Sequence, residues 1–394
     1  MTAIQPTVLM WARETAGLSL EDAAGALGFS ETLSRTGAQR LHDMERGLEE
    51  PARGVLLKMA KTYRRPLLVF YLAEPPRIGD RGKDFRTLPE NERFNPELDA
   101  LVRDIKARQG IIRSMLEDEE AGPLEFVGSA SMEVRAPRLA ARIAEQINFS
   151  LAEYRAAKTT DAAFAYLRES IENSGIFVLL LGNLGSHHTN IPAEVFRGFA
   201  LADRIAPLIV INDQDAKAAW PFTACHELAH LWLGATGISA ADGENRVERY
   251  CNEVAGEFLL PANEVRSLIP SKNEDLATAA DRIGEFAQAR HVSRAMVAYR
   301  LYRTGAIGKA TWEGLSQRFK GDCAQFKQRE ADRNRIAEGG PNYYVVRRHR
   351  MGRALLQLVR RSLDEGTITY TKASTVLGVK ARNVEPLLSM RGAR

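Results

Sequence analysis

Cysteine is scarce in this chain: Cys225, Cys251 and Cys323 are the only three in 394 residues, and none stands in a C-x-x-C spacing. Three thiols cannot build a disulfide framework, which excludes the small cross-linked secreted class. Histidine is nearly as rare, with seven residues, and aromatic side chains make up 7%. Long apolar runs are missing. No stretch approaches the ~18 residues of a membrane span. The N-terminus, Met1-Thr2-Ala3-Ile4-Gln5-Pro6, lacks the basic and apolar segments of a secretion signal, so the expectation is a cytoplasmic protein with no membrane partner. Net charge is also small, +4 from 54 basic and 50 acidic residues. With 45% apolar residues, a chain this long predicts roughly two to four globular domains.

What the chain does have is two of its few histidines four residues apart, in Thr223-Ala224-Cys225-His226-Glu227-Leu228-Ala229-His230-Leu231-Trp232-Leu233. On a helix, residues i and i+4 stack on one face, so both imidazoles can reach one ion while Glu227 stays clear of it. That is the H-E-x-x-H pattern of zinc hydrolases. A catalytic zinc site takes a third protein ligand and leaves the fourth position to water. The stretch Val247 to Pro261 supplies one on a second helix, where Val247, Cys251, Val254, Phe258 and Leu259 form a buried stripe. Glu248 lies at the edge of that stripe and can point inward, whereas Glu253 and Glu257 fall nearer the wet side. Glu248 is therefore the expected third ligand, and Asn252, one turn on, is placed to orient a ligand. Zinc in such a setting brings the pKa of a water toward ~7, and Glu227 can take its proton and return it to a leaving amine. The plainer alternative is an amphipathic core helix with two satisfied histidines. Cys225 and Cys251 are expected to pack rather than to ligate.

Three blocks carry a resemblance: Phe199-Ala200-Leu201 through Pro207-Leu208-Ile209-Val210-Ile211-Asn212, then Phe222 to His230, then Glu248-x-x-Cys251-Asn252-x-x-Ala255-x-x-Phe258-Leu259-x-Pro261. Together they resemble the ImmA/IrrE-type metallopeptidases, strongly over residues 160 to 265 and more loosely beyond. The resemblance implies that His226, His230 and Glu248 bind zinc and that Glu227 is the motif glutamate. It also implies a specific protein substrate, since members cut or inactivate repressor-type regulators in mobile-element and stress responses. Ala295 to Leu301 is similar to a downstream helix of that family.

Ahead of this block, residues 8 to 66 read as four short helices: Val8 to Thr15, Leu20 to Leu27 capped by Ser19, one within Thr36 to Arg46, and one within Pro51 to Tyr63. Their order is similar to the helix-turn-helix of phage-repressor-like (XRE-type) regulators. In that motif the third helix enters the major groove, here presenting Arg35, Gln39 and Arg40 to DNA. Nine basic and eight acidic residues from Arg13 to Arg65 temper this, because a free DNA binder carries a stronger positive field. A helical protein-docking module is the alternative.

Arg77 to Arg93 is polar and turn-rich and reads as a linker. Helices are expected within 96 to 118, Ala136 to Ala157 and Ala162 to Asn173. Short apolar runs at Ile176 to Leu181, Gly198 to Leu201 and Leu208 to Ile211 predict a small sheet beside the zinc helices, and an edge strand there could take an extended substrate by strand addition. His187 and His188 fall in a loop, and nothing in the spacing brings His291 to the metal. Phe319 to Gly340, ending at Gly339-Gly340-Pro341, reads as a second linker. Pro341 to Arg394 then carries eleven basic and three acidic residues, with Arg347, Arg348, Arg350, Arg353, Arg360 and Arg361 along one helical stretch. Those arginines either engage a polyanion or pair with the acidic body.

The expected fold is mainly α, with a small α+β zincin-like catalytic domain, a helix-turn-helix domain at the N-terminus and a small basic helical domain at the C-terminus. The boundaries are 1–76 for the DNA-binding domain, 77–157 for linker and connector, 158–320 for the zinc metallopeptidase, and 341–394 for the basic domain. The expected function is a zinc endopeptidase that cleaves a specific, repressor-type protein to control gene expression. Its expected partners are DNA, through the N-terminal domain with the basic C-terminal domain as a second candidate contact, the substrate protein, and a second copy in a homodimer. The competing reading is a transcription regulator or antitoxin-like binding protein whose zinc fold senses a ligand or partner without proteolysis.

Overall fold

The computed structural model describes residues 4–31, 35–76, 95–235, 237–239, 246–265, 268, 275–336 and 342–389. The linker expected at Arg77 to Arg93 and the Gly339-Gly340-Pro341 stretch lie outside them. The chain divides into two compact units, Met1–Asp104 and Ile105–Arg394.

In the first unit, α1 (Pro6–Glu14), α2 (Leu20–Leu27), α3 (Gly37–Glu45) and α4 (Arg53–Thr62) bury Leu9, Leu27, Leu41, Met44, Leu56 and Met59 in one core. Local signals fix the ends. Ser19 accepts from Asp22 N to start α2, and Gly28 ends it in the left-handed conformation that glycine adopts without strain. Thr36 and Gln39 form a reciprocal capping box on α3. Arg13 binds Glu45 through two nitrogens, at 2.7 and 2.9 Å, tying α1 to the end of α3. A long helix, α5 (Pro96–Asp118), crosses from this unit's sequence into the next.

The second unit continues with α6 (Ala136–Gln146), α7 (Leu151–Ala156), α8 (Thr160–Asn173), β1 (Phe177–Leu180), β2 (Gly198–Leu201), β3 (Leu208–Ile211), α9 (Trp220–Leu233), β4 (Gly237–Ser239) and α10 (Arg246–Leu259). The sheet order is β1-β3-β2-β4, with β1 parallel to β3 and the other pairs antiparallel. Strands β1, β2 and β3 are buried along their whole length: α8 and α9 cover the face that carries Val178, Leu180, Ala200, Ile209 and Ile211, and the residues between these are buried as well, which is why the strands read as unbroken apolar runs rather than alternating ones. The mainly helical fold with a small α+β part is as expected.

Two expectations differ from what is found. The connector helix α6 packs against α10 and puts Leu139, Ala140 and Ile143 into the same core as α9, so a boundary at residue 158 cuts through that core. The linker expected over Phe319 to Gly340 is largely helix, since α11 (Ala262–Val265), α12 (Leu276–Gln288) and α13 (Arg294–Arg303) are followed by α14 (Lys309–Ile336).

The C-terminal helices α15 (Tyr343–Met351), α16 (Arg353–Asp364), α17 (Tyr370–Leu377) and α18 (Val384–Ser389) belong to the same unit, with α15 against β1 and α16 against α8. A buried ion pair fastens them. Arg168 binds Glu172 at 2.9 Å and donates to the main-chain carbonyls of Val178, His349 and Arg350. Glu172 in turn accepts from Arg353 N at 2.8 Å and Ala354 N at 3.0 Å, the orphan amides that open α16. Gly352 sits between them at φ +79°; a Cβ there would overlap Glu172 Oε1 and stand 2.6 Å from Arg168 Nη2. Most of the arginines noted in the sequence are engaged. Arg350 meets Asp213 at 2.6 Å, Arg361 meets Glu119 at 2.6 Å, Arg353 pairs with Glu169, and Arg347 and Arg348 donate to the carbonyls of Gly378 and Leu387. Arg350, Arg353 and Arg361 thus pair with acidic residues of the body, whereas Arg347 and Arg348 bind carbonyls within the C-terminal segment itself; Arg353, Arg360 and Arg361 are the exposed members of the series.

Candidate metal centre

Helix α9 starts with proline in its first turn, where a missing N–H costs nothing, and ends at Gly234 in the left-handed conformation. It has almost no wet face. The sheet covers one side and α10 the other, so the histidines are buried with the apolar residues. Its far end is held from upstream: Gly128 N and Ala130 N donate to Leu231 O and Trp232 O at 3.0 and 2.8 Å, and Phe126 stacks on Trp232 at 4.4 Å.

His226 and His230 face α10, where Glu248 occupies the first turn. Glu248 Oε2 lies 3.1 Å from His226 Nε2, its Oε1 lies 3.2 Å from His230 Nε2, and the two imidazole nitrogens are 3.0 Å apart. All three residues are buried. Among the described residues this is the one group of three His, Cys, Asp or Glu side chains placed to hold a metal ion. The spacing fits. Ligands held 2.0–2.1 Å from a tetrahedral ion stand about 3.3 Å from one another. Two imidazole nitrogens this close can share a single proton at most, whereas a cation would satisfy both lone pairs and the carboxylate together.

Electrostatics point the same way. Burial opposes ionisation of Glu248, yet the hydrogen bonds from His226 and His230 outweigh it and hold its carboxyl at about 2. Burial alone would push His230 down; its contact with the Cys251 thiol, the Glu248 hydrogen bond and the Glu227 charge turn the shift upward. Cys251, expected only to pack, thus touches a metal-site imidazole, while Cys225 is a buried thiol held protonated by burial.

Glu227 is turned ~100° around the helix from His226. It is 0% exposed and faces β2, where its Oε1 would stand 3.0 Å from a Cβ on Gly198. The other acids of α10 are engaged at the rim: Glu257 with Arg300 at 2.6 Å and Glu253 with Arg303. Asn252 is half-buried one turn beyond Glu248. His291 lies away from the metal-site residues in its own contacts, its ring against Ala157 O at 2.8 Å and its carbonyl accepting from Tyr154 Oη. Two contributors escaped the sequence reading: Gly198, whose signal is a glycine opening a buried strand, and β4, which is too short to show a pattern.

The strand nearest α9 is not an edge. Strand β2 pairs with β3 on one side and β4 on the other, so among the described residues the outer strands of this sheet are β1 and β4, and β4 is the one beside β2.

The residues expected to meet DNA lie in the first unit. Gln39 is used in the α3 capping box. Arg35 binds Asp43 at 2.6 Å and Glu49 at 2.8 Å, and Arg40 binds Glu49 at 3.0 Å and covers the Phe29 ring.

Residues 179–302 match the family model of the IrrE N-terminal-like domain, a metallopeptidase family; the match spans β1 through α13 and includes every residue of the centre. No curated protein and no solved structure matches the chain.

Proposed function

We propose that the second unit is a zinc-dependent endopeptidase, coupled through the first unit to DNA, that cleaves a specific repressor-type protein in the cytoplasm and so controls gene expression. The observation that carries this reading is the convergence of His226, His230 and Glu248 beside the sealed carboxylate of Glu227. His226 and His230 would hold zinc through Nε2 and Glu248 through its carboxylate. The ion would supply Lewis-acid polarisation of a peptide carbonyl and an acidified water. Glu227 would be the proton carrier, accepting a proton from the attacking water at a carboxylate oxygen and giving it to the departing amine. Burial against β2 keeps its carboxylate from swinging into the ligand set, where it would fill the place reserved for water. The outer edge of β4 offers backbone groups to an extended substrate, which suits a folded protein presenting one loop rather than a bulk digestive substrate.

For the first unit the proposed contacts are Arg35, Gln39 and Arg40 on or next to α3, in a homodimer that reads two half-sites. The acidic partners of both arginines mean that phosphates must compete with Asp43 and Glu49, and binding should weaken steeply with salt.

The deciding experiment is Glu227→Gln in the zinc-loaded chain. Zinc content should stay at the parent level while the cellular effect and cleavage of a co-expressed repressor fall by about 100-fold or more. Zinc retained with the cellular effect intact would instead support a sensor that binds without cutting.

A further inference from the structure

Gly198 opens β2, in the interior of the sheet, paired with Ile211 of β3 and Ser239 of β4. Glycine weakens a strand interior, and when it persists there it commonly marks a place where something approaches the backbone closely. The usual conformational reason is absent: Gly198 is not among the glycines with positive φ, so its backbone is one any residue can adopt. The requirement is one of space. A Cβ built there would stand 2.6 Å from Thr223 Cγ2, 3.0 Å from Glu227 Oε1 and 3.0 Å from Val210 O. These three obstacles are unequal. Val210 O belongs to the β3 backbone and cannot move without breaking the ladder. The Thr223 methyl is the nearest of the three and sits on a stiff, β-branched side chain one turn earlier on α9, so its obstruction has to be removed separately. The Glu227 carboxylate is the end of a flexible side chain, and once the nearer Thr223 methyl is relieved it is the remaining group that can give way.

We propose that Gly198 is a positioning residue for Glu227: hydrogen in place of a side chain leaves the slot between β2 and α9 that receives the carboxylate, and a larger residue would displace it. This rests on the reading of Glu227 as the proton-handling group. The slot is shut off from bulk solvent, since Glu227 is fully buried and α9 lies directly on β2. The strand therefore acts as a template, fixing the carboxylate relative to the two histidines on the neighbouring face of the same helix. Oxyanion or metal chemistry tolerates only a few tenths of an ångström of misplacement before rates fall, so the identity of residue 198 carries functional weight although it touches no ligand atom.

The test combines stability and spectroscopy on the full chain. In a thermal double-mutant cycle, Gly198→Ala should lower Tm, and adding Glu227→Asp, one methylene shorter, should recover about 2–5 °C in that background while recovering nothing in the parent. Strictly additive Tm changes would overturn the proposal. In parallel, cobalt(II) serves as a visible-spectrum probe. Gly198→Ala with Thr223→Ser, which removes the obstructing methyl, should bind one cobalt per chain and shift the pH midpoint of the spectrum by about half a unit or more. Thr223→Ser alone should leave that midpoint where it is. A Gly198→Ala/Thr223→Ser chain with cobalt bound and an unmoved midpoint counts against the assignment. If Glu227→Gln also leaves the midpoint unmoved, the Glu227 carboxylate does not sense the ion, and the peptidase reading fails whatever Gly198 does.

Discussion

Two buried carboxylates in the second unit make an instructive pair. Glu172 and Glu248 are both sequestered, and both lie among cationic or protonatable partners. Around Glu172 every partner is a permanent donor: the Arg168 guanidinium and the two amides opening α16. Nothing there can be exchanged for a ligand. Around Glu248 the partners are two imidazole nitrogens, which donate when protonated and accept or ligate when not. Burial raises the Glu172 carboxyl despite Arg168, whereas the histidine hydrogen bonds overcome burial at Glu248 and lower it. The first arrangement can only hold the fold together. The second can trade its proton for a metal ion, and that difference separates a structural cluster from a functional one.

The comparison breaks most visibly when one partner is removed from each cluster. His230→Ala should abolish stoichiometric zinc binding, a loss of about 100-fold or more in affinity by chelator competition, while the metal-free chain remains folded. Arg168→Met should do the reverse. It leaves Glu172 buried without its cation and takes the donor away from main-chain carbonyls of β1 and α15, so denaturant unfolding should show a loss of about 3–5 kcal/mol. Zinc affinity of the folded fraction should stay at the parent value. If Arg168→Met lowered zinc affinity as far as His230→Ala, the two clusters would not be separable.

Smaller effects sharpen the contrast. Gly352→Ala forces a Cβ into the Arg168–Glu172 pair at a positive φ and should cost about 1–3 kcal/mol with no change in metal content. Acid titration of the metal-free chain comes next. The Glu248 carboxyl is depressed to about 2 in the folded chain, from 4.5, so its contribution is complete above that ordinary value and is lost as pH falls toward 2. Glu248→Gln should flatten the stability profile in that window, and an unchanged slope would mean that the histidines do not hold the carboxylate. The smallest change is expected at the exposed Arg40–Glu49 contact of the first unit, where Glu49→Gln should alter stability by no more than about 0.5 kcal/mol. The same variant should tighten DNA binding at low salt if Arg35 and Arg40 reach phosphates.

How much of this could be read from the chain follows from the range of each interaction. His226 and His230 are four residues apart, and helix geometry alone brings them together. Glu248 was legible because an acid at the edge of an apolar stripe points inward. Strands β1 to β3 announced themselves as buried apolar runs, but β4 is three residues with a glycine among them and carries no such signal. The charge of the C-terminal helices was plain, yet its disposition was not. Arg168 reaches His349 O across 181 positions and Arg361 reaches Glu119 across 242, and main-chain acceptors leave no mark in the sequence. The upstream boundary was missed for a related reason: the stripe Leu139, Ala140 and Ile143 shows that α6 is amphipathic without saying that α10 is what covers it.

The distribution of the three thiols gives the molecule an internal clock. Cys225 and Cys251 are fully sequestered within the two helices that carry the histidines and Glu248, while Cys323 is partly accessible on α14. An alkylating reagent should therefore react with Cys323 directly and with the other two only during transient separation of α9 from α10. The slow phase of that modification measures how often the metal cage springs open, without reference to any substrate.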